Sequence, residues 1–214
     1  MKIIKGSKLF PKNCKGPVLT MGNFDGVHRG HQTIFTEVVR QAKKRGRRPV
    51  VYTYEPHPVA LLAPHEAPKM LQTREQKMRS MDSLGISACV LEPFTHAFAQ
   101  MTPDNFFETV ILKRIKPSFI IVGYDFTFGH RRGGTTELLE TLCRRHGIGY
   151  EIIPALFIGD RLLSSTQIRK YVTEGLMEDA ARMLGRPYSM TGTIVRGRGI
   201  GKALGFETAN IVTE

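Results

Sequence analysis

Two histidines, His28 and His31, lie three residues apart in a glycine-rich turn and carry the clearest chemical signal in the sequence. An apolar run precedes the turn and residues at helical spacing follow it, which predicts a strand, a turn from Gly22 and a helix beginning near His31. A helix N-terminus favours an anion such as phosphate, because its backbone N–H groups are unpaired and its dipole is positive there. Both imidazoles can face that anion. The alternatives are two solvated histidines or a metal pair, which no neighbouring cysteine or third histidine completes.

A second polar turn combines three hydroxyls with an arginine. Ser164, Ser165 and Thr166 stand at the predicted start of a helix, and Arg169 follows one helical turn later. A helix N-terminus needs only one Ser or Thr as a cap. Three hydroxyls with an arginine therefore predict an anion-binding turn, and simple N-capping is the alternative.

A third polar segment, from Gly123 to Gly134, also leaves a predicted strand and precedes a helix. It combines two phenylalanines, Phe126 and Phe128, with Asp125 and Arg132. Aromatic side chains can stack on a flat ring, and an arginine can neutralise a phosphate. The alternative is a surface loop that its phenylalanines anchor in the core.

A proline-flanked histidine, His57, follows a further apolar run, Pro49 to Tyr54. Pro56 and Pro58 prevent a central strand from continuing and predict a rigid loop at its carboxyl end. Ligands of open α/β sheets bind beyond the carboxyl ends of the strands, so His57 is a candidate site residue. A capped histidine in a loop is the alternative.

Apolar runs and helical periodicities alternate along most of the chain, which predicts an α/β fold with a parallel sheet and helices on both faces. The run Phe119 to Val122 is continuously apolar, as in a strand buried on both faces. No GxGxxG follows the first predicted strand, so the sequence is not that of an NAD-type Rossmann domain. The segment Leu61 to Lys69 lacks periodicity and predicts a mobile loop. The predicted strands cover residues 18–21, 49–54, 88–91, 119–122 and 150–153.

The formal net charge of +12 calls for a negatively charged partner, either nucleic acid or a small polyphosphate ligand. Much of the excess lies in Lys43 to Arg48, at the end of the first predicted helix. Cations are favourable there in any case, so a solvated helix end is the main interpretation. Basic and aromatic residues do not alternate as they do in an RNA-binding sheet, and the sequence predicts no nucleic-acid partner.

The cysteines and the apolar runs bear on location. Cys14, Cys89 and Cys143 are odd in number and lack metal-binding spacing, which suits a reducing cytoplasm. No run has the length of a membrane span, and the first 16 residues lack an apolar signal-peptide core. The sequence therefore predicts a cytoplasmic protein with no membrane partner.

Three motifs resemble those of the bacterial FAD synthetases, members of the HxGH nucleotidyltransferase superfamily. Gly22-x-Phe24-Asp25-Gly26-x-His28-x-Gly30-His31 is similar to their first signature, although HxGH alone occurs in several adenylyl- and cytidylyltransferases. The loop Val-Gly-x-Asp-Phe-x-Phe-Gly-x-x-Arg-x-Gly, from residue 122 to residue 134, is similar to their second signature. The run from Leu163 to Arg169 resembles Ile-Ser-Ser-Thr-x-Ile-Arg, with leucine in place of the first isoleucine.

The resemblance implies a Rossmann-like nucleotidyltransferase fold and transfer of the adenylyl group of ATP to FMN, giving FAD and pyrophosphate. It implies Mg²⁺ bound with ATP rather than by protein ligands alone, the small molecules ATP and FMN as partners, and a monomer or weak oligomer. The implied catalytic residues are His28, His31 and Arg169; the ATP-binding residues are Gly22, Asn23, Phe24, Asp25, Gly30, Ser164, Ser165 and Thr166; and the flavin-binding residues are His57, Pro58, Asp125, Phe126, Phe128 and Arg132.

The end of the chain resembles the start of a second module. Gly-Phe-Glu-Thr-Ala-Asn, at residues 205–210, is similar to the Gly-Phe-Pro-Thr-Ala-Asn opening of riboflavin kinase modules, with Glu207 in place of proline. The sequence thus predicts a nucleotidyltransferase domain over residues 1–186 and an incomplete β-barrel start over residues 187–214, a short C-terminal β fragment. About thirty residues do not close a barrel, so we expect no flavokinase activity from this chain.

Two other functions are compatible with parts of the sequence. A related nucleotidyltransferase with a different phosphate acceptor would keep the two phosphate-binding turns and differ in the loop after residue 122. A basic regulator that binds nucleic acid would be supported by the charge alone.

Overall fold

A computed structural model describes residues 1–197, 200–206 and 208–213 and confirms the predicted α/β architecture. Six parallel strands form one sheet in the order β1-β4-β3-β2-β5-β6. The strands are β1 (Lys2–Lys5), β2 (Val18–Met21), β3 (Pro49–Glu55), β4 (Ala88–Pro93), β5 (Phe119–Gly123) and β6 (Gly149–Ile153). None of the helices in these described residues is both long and apolar enough to cross a bilayer.

Helices connect the strands and cover both faces of the sheet. They are α1 (Arg29–Arg45), α2 (Pro58–Leu62), α3 (Arg74–Ser83), α4 (His96–Ala99), α5 (Pro103–Phe106) with its π-helical continuation Phe107–Ile115, α6 (Thr136–Arg145), α7 (Ser165–Thr173), α8 (Met177–Leu184) and α9 (Ile200–Ala203). Apolar residues of α1 and α3 pack on one face, and those of α5, its continuation and α6 pack on the other. Burial on both faces explains the apolar runs of the central strands.

A third, smaller core joins α7 and α8 to the rest of the molecule. Ile168 and Tyr171 of α7 pack against Ala180 and Met183 of α8 and against Leu71. This packing places the start of α7 beside the sheet, and it is therefore the element that positions the second polar turn.

The strand order creates a crevice between β2 and β5. From β2 the chain moves outwards to β3 and β4 on one side, and then returns to add β5 and β6 on the other side. Connections that leave β2 and β5 diverge above the carboxyl ends of these neighbours, which is where open α/β sheets bind ligands. The turn after Met21 and the loop after Gly123 both start at this point.

Several elements differ from the sequence prediction. The edge strand β1 was not predicted, because only Ile4 of its four residues is buried and the alternation is too short to register. The segment from Leu61 to Lys69, predicted as a mobile loop, contains regular elements, since α2 reaches Leu62 and a 3₁₀ turn covers Pro64–Glu66; its mobility stays a prediction. Helix α1 begins at Arg29, with His28 as its N-cap.

The last residues form the predicted short β fragment. Strands β9 (Gly192–Val195) and β10 (Asn210–Thr213) pair antiparallel, and all their residues are exposed. Another antiparallel pair, β7 (Phe157–Ile158) and β8 (Arg161–Leu162), precedes α7. Glu207 and the C-terminal Glu214 lie outside the described residues.

Candidate active site

The turn between β2 and α1 has an unusual backbone that other parts of the chain hold in place. Phe24, Gly26 and Val27 have φ angles of +51°, +82° and +38°, and such a value is costly for a β-branched valine. Arg186 donates a hydrogen bond to the Gly26 carbonyl at 2.7 Å, and Gln32 donates one to the Val27 carbonyl at 2.9 Å. Strain of this kind concentrates at functional sites, where the surrounding structure compensates for it.

His28 is held as a neutral hydrogen-bond donor. Its Nδ1 accepts a hydrogen bond from the His31 backbone N–H at 3.4 Å, so a neutral ring carries its proton on Nε2. The side chain is 6 % exposed, and this burial lowers the pKa of His28 to about 4. The charges of Arg186 and Arg169 are smaller contributions to this lowered pKa, and a backbone hydrogen bond opposes them. The Nε2–H group is therefore a donor at neutral pH without an imidazolium charge.

His31 stacks on His28, and its pKa is lowered as well. The two ring centroids are 3.6 Å apart with an interplanar angle of 19°. Burial, followed by the proximity of His28 and Lys77, holds the pKa of His31 well below its usual value. Its Nδ1 is buried without a hydrogen-bond partner in the described part of the chain.

Gly30 permits the close stacking at the start of α1. A Cβ at this position would lie 3.1 Å from the His28 ring, which is tighter than ordinary packing allows. A glycine is therefore favoured at this position of the histidine motif because a side chain would crowd the His28 ring, and not because of the backbone angles.

Asp25 links two turns: the histidine turn between β2 and α1 (residues 22–31) and the hydroxyl turn at the start of α7 (residues 164–166). Its carboxylate is 3 % exposed and pairs with the Arg169 guanidinium at 2.7 Å. The Leu71 backbone N–H donates to both carboxylate oxygens at 3.1 Å. Because this carboxylate is already engaged by a guanidinium and an amide, it fits the role of a turn anchor better than that of a magnesium ligand.

The three hydroxyls at the start of α7 make different contacts. Ser164 is the N-cap, and its Oγ accepts from the Gln167 backbone N–H at 3.2 Å. The Ser165 hydroxyl donates to the Asp25 carbonyl at 2.8 Å, and Thr166 is exposed. Ser164 thus has the capping role, and the first backbone N–H groups of α7, which have no partner within the helix, leave room for an anion beside Thr166.

One cavity of about 760 Å³ gathers the predicted site. A volume of this size suits a nucleotide or a cofactor. Every site residue predicted from the sequence lines this cavity: Gly22, Asn23, Phe24, Asp25, His28, Gly30, His31, His57, Pro58, Asp125, Phe126, Phe128, Arg132, Ser164, Ser165, Thr166 and Arg169. The histidine turn and the hydroxyl turn, which are far apart in sequence, therefore share one cleft.

Comparison with known proteins identifies the family. The family model for FAD synthetase matches residues 10–167, and the model for riboflavin kinase matches residues 184–214. This chain belongs to the FAD synthetase family. The predicted family and fold are thereby confirmed.

Similarity to individual proteins supports the same family assignment. The chain is 33 % identical over 212 residues to the bifunctional riboflavin kinase/FMN adenylyltransferase of Escherichia coli (strain K12), covering 99 % of this chain and 68 % of the relative. It is 34 % identical over 187 residues to the FAD synthetase of Listeria monocytogenes, covering 87 % and 75 % respectively. Among solved structures, a Streptococcus pneumoniae protein described as a macrolide-efflux protein superposes with a TM-score of 0.86 at 29 % identity, over 99 % of this chain and 68 % of the other.

In this FAD synthetase family member the residues predicted for the flavin side have mixed environments. Phe126 and Phe128 are buried in the main core, with stacked rings 5.7 Å apart, and they also border the cavity. Asp125 and Arg132 are exposed, and the Arg132 Nε donates to a neighbouring threonine hydroxyl at 2.9 Å. His57 caps α2, and burial lowers its pKa. The two phenylalanines of the loop therefore anchor it in the core and also form part of the cavity wall.

Sequence reasoning missed an aromatic wall on the same side of the cavity. Tyr54, Phe94, Phe98 and Phe106 line it together with the loop phenylalanines, and the rings contact one another at centroid distances of 5.5 to 6.0 Å. Tyr54 and Phe94 stand at the carboxyl ends of β3 and β4, a location that the ligand-position rule for α/β sheets could have flagged. The wall provides a surface for a flat ring.

Lys77 on α3 is a second residue that the sequence did not single out. Its side chain is buried, and its ammonium donates to the Asn23 carbonyl in the histidine turn at 3.2 Å. Burial lowers the pKa of Lys77. Within the described residues no carboxylate lies close enough to form an ion pair with it, so the backbone of the turn is the partner that the structure supplies.

The donor set at the site does not form a protein metal centre. In the part of the chain that the structure describes, no three His, Cys, Asp or Glu side chains are grouped as metal ligands.

Proposed function

We propose that this chain transfers the adenylyl group of MgATP to FMN, producing FAD and pyrophosphate. The family supports this reaction, and the observation that carries it is the shared cleft of the two phosphate-binding turns. A polyphosphate that spans the cleft would meet neutral imidazoles on one side and the start of α7 on the other. A flat ring system would meet the aromatic wall.

The proposed chemistry needs no protein nucleophile. A phosphate oxygen of FMN attacks the α-phosphorus of ATP, and the bond from that phosphorus to the oxygen bridging to the β-phosphate breaks. The electron pair of the broken bond leaves with pyrophosphate. The work left for the protein is to align the two phosphates and to stabilise the charge that gathers on them.

We assign the stabilisation of this charge to His28, His31 and Arg169. The Nε2–H of His28 donates to the transferring or leaving phosphate, and the neutral state of the ring makes it a hydrogen-bond donor rather than an acid. The Arg169 guanidinium donates to Asp25 and to the Lys69 carbonyl, and its remaining N–H groups would contact the phosphates. Gly22 to Asp25, Gly30 and the turn from Ser164 to Thr166 hold the nucleotide.

We assign the flavin to the other side of the cavity. Its ring system would lie against Phe126, Phe128 and the aromatic wall, while His57 and Pro58 border it from α2. Asp125 and Arg132 are exposed at the mouth, where they can contact the polar part of FMN. Burial of a flat ring against several aromatic side chains provides affinity, and the polar turns provide orientation.

The remaining assignments are part of the same proposal. Mg²⁺ bound with ATP would supply positive charge that stabilises the leaving pyrophosphate, beside the donors of His28, His31 and Arg169. Residues 1–186 form the nucleotidyltransferase domain, and residues 187–214 correspond to the start of a riboflavin-kinase-like module. The three cysteines have no disulfide partner in the described chain, which suits action in the cytoplasm.

Mass-spectrometric detection of FAD from FMN and MgATP tests the proposal, with riboflavin as a parallel acceptor. Pantetheine phosphate and nicotinate mononucleotide, assayed by pyrophosphate release, test for a related transferase. We expect FAD from FMN and no comparable product from the other acceptors. Pyrophosphate release with another acceptor, and none with FMN, would refute the assignment.

His28→Ala tests the assigned donor, with His146→Ala at the opposite edge of the sheet as the matched control. Loss of one transition-state donor lowers kcat by about 10²–10³-fold. We expect that loss for His28→Ala, a far-UV circular dichroism spectrum like that of the unmodified protein, and unchanged kcat for His146→Ala. Full activity of His28→Ala would remove this residue from the mechanism.

A further inference from the structure

The positive charge of this chain is concentrated in four short segments. Residues 12–17, 43–48, 113–118 and 144–148 contain twelve of its 31 Lys and Arg residues and none of its 19 Asp and Glu residues. The remaining 19 basic residues are balanced by 19 acidic residues, so the formal net charge of +12 belongs to these segments. All of the twelve cations except Arg114 are exposed.

The sheet brings the four segments together. They directly precede β2, β3, β5 and β6, which begin in register: Val18 pairs with Pro49 and Phe119, and Phe119 pairs with Gly149. Hydrogen bonds link the segments themselves, from Arg47 to the Lys15 carbonyl at 3.3 Å. The segments therefore form one surface at the amino ends of the strands, which we call the amino-edge patch.

Further hydrogen bonds make the patch continuous on its other side. The Ser118 hydroxyl donates to the Gly16 carbonyl at 2.6 Å, and the Gly149 N–H donates to the Ser118 carbonyl at 3.2 Å. Four neighbouring strands at about 4.8 Å spacing extend over about 14 Å, and a nucleic-acid duplex carries about eight phosphates over that length. The patch can thus meet several phosphates at once.

Helix dipoles explain only part of this accumulation. Cations in the last turn of α1 and α6 are favourable, but Lys12, Lys15, Arg47, Arg48 and Lys116 lie outside any helix. Helix α3 ends at the same edge without a basic residue in its last turn. Like charges packed together repel one another in the free protein, and a bound polyanion would relieve that repulsion.

Internal carboxylates neutralise little of the patch. Glu140 pairs with Arg144 at 2.5 Å, one turn before the last segment. No other residue of the four segments takes part in an ion pair within the described chain. Most of its cations are therefore available to an external anion.

We propose that the amino-edge patch binds the phosphate backbone of nucleic acid without sequence preference. None of the large exposed apolar side chains of the described residues lies in the four segments, so the patch lacks the apolar core of a protein interface or an anchor for lipid. Lys and Arg side chains over a flat, continuous area match a repeating phosphate backbone. In sequence only residues 43–48 form a conspicuous cluster, and the other three segments join it only through the strand order of the sheet.

The patch is independent of the proposed catalytic cleft. It lies at the amino ends of the strands, and the cleft lies at the carboxyl ends of the same strands. None of the four segments lines the cavity of about 760 Å³. Nucleic acid on the patch leaves the cleft open to small molecules.

Fluorescence anisotropy with two labelled 20-base-pair duplexes of unrelated sequence tests the proposal. The full chain is titrated at salt concentrations from 50 to 250 mM. We expect equal affinities for the two duplexes and a slope of log K against log salt of about −3 or steeper, since each neutralised phosphate contributes about −0.9. Absence of binding at 50 mM salt would overturn the proposal, and so would binding only to vesicles that contain phosphatidylserine.

The patch variant replaces Lys43, Lys44 and Arg48 by glutamine. None of these side chains makes a hydrogen bond or an ion pair in the described structure. We expect at least about tenfold weaker binding at 100 mM salt and a slope shallower by about 2 to 3. If the triple variant does not fold, each single substitution is expected to reduce the steepness of the slope by about 1.

A matched control replaces Lys5, Lys8 and Arg79 by glutamine, which removes the same charge from exposed positions outside the patch. The control is expected to bind within about twofold of the unmodified chain. Equal weakening in both triple variants would show a general charge effect and overturn the assignment to the patch. FAD synthesis is measured in parallel and is expected to be unchanged in both variants, so failure of this proposal and failure of the proposed reaction are distinguishable.

Discussion

Buried His28 makes the stability of the ligand-free protein depend on pH in a way that can be calculated. The pKa of this histidine is lowered from 6.5 to about 4 by burial. The unfolded chain therefore binds the proton more tightly than the folded chain. Stability from this group is complete above about pH 6.5, falls as the pH drops through that value, and stops falling near pH 4.

The magnitude follows from the width of this window. One pKa unit corresponds to about 1.4 kcal/mol, so the full loss is about 3 kcal/mol, of which about 2 kcal/mol falls between pH 7 and pH 5. His28→Asn is a suitable comparison, because asparagine is a good N-cap and does not titrate. Its side-chain oxygen can accept the His31 N–H in place of the imidazole.

Urea unfolding at pH 7, 6 and 5 provides the measurement. We expect the unmodified chain to lose about 2 kcal/mol more than His28→Asn over this range. His31 also has a lowered pKa, to which burial and the neighbouring His28 contribute, so the difference between the two proteins reports the stacked pair. If the free energies of unfolding of the unmodified chain and of His28→Asn fall by amounts that agree within about 0.5 kcal/mol, the burial of a neutral imidazole at this position is refuted.

Three further substitutions test other contacts of the site. Arg169→Met leaves the buried Asp25 carboxylate unpaired and is expected to lower the free energy of unfolding by about 3 kcal/mol in urea titrations, whereas adding Asp25→Asn should recover part of the loss; a fully additive double variant would contradict the pair. Lys77→Met removes the charged donor to the backbone of the histidine turn, the proposed nucleotide-binding turn, and should raise KM for ATP about tenfold while KM for FMN changes little; an effect equal to that of Arg79→Met, on the exposed face of the same helix, would argue against this. Gly30→Ala favours the helix but crowds the stacked imidazoles, so thermal unfolding should show stability unchanged or raised while kcat falls about tenfold; unchanged kcat would show that the rings adjust.

The sequence predicted the elements of the site well because each carries a local signal. The end of a strand, a glycine-rich turn and the start of a helix all lie within the ten residues from Gly22 to His31. The hydroxyls that begin at Ser164 indicate a helix N-terminus. Such signals depend only on residues that are close in sequence, so they can be recognised without knowledge of the fold. The same dependence explains the misses, since β1 is too short to show periodicity and the segment after Leu61 mixes prolines with a helical turn.

Long-range contacts were beyond the sequence. The pairing of Asp25 with Arg169 joins residues 144 positions apart, and the contact of Lys77 with Asn23 joins residues 54 positions apart. The motif around His28 includes Asp25 but does not name its partner, and no local pattern singles out Lys77. The partners of both charged groups become visible only when the tertiary structure shows what surrounds each buried side chain.

The sequence by itself determined the family, the alternation of strands and helices, and the residue types that can meet phosphates and a flat ring. Tertiary structure decided which of these residues meet, because strand order sets β2 beside β5 and packing of α7 against α8 sets the hydroxyl turn over the histidine turn. The same strand order gathers the dispersed cations at the amino edge and the dispersed aromatic residues at the carboxyl edge. Local composition specifies what each segment can do, whereas the position of a segment in the sheet is a property of contacts that are distant along the chain.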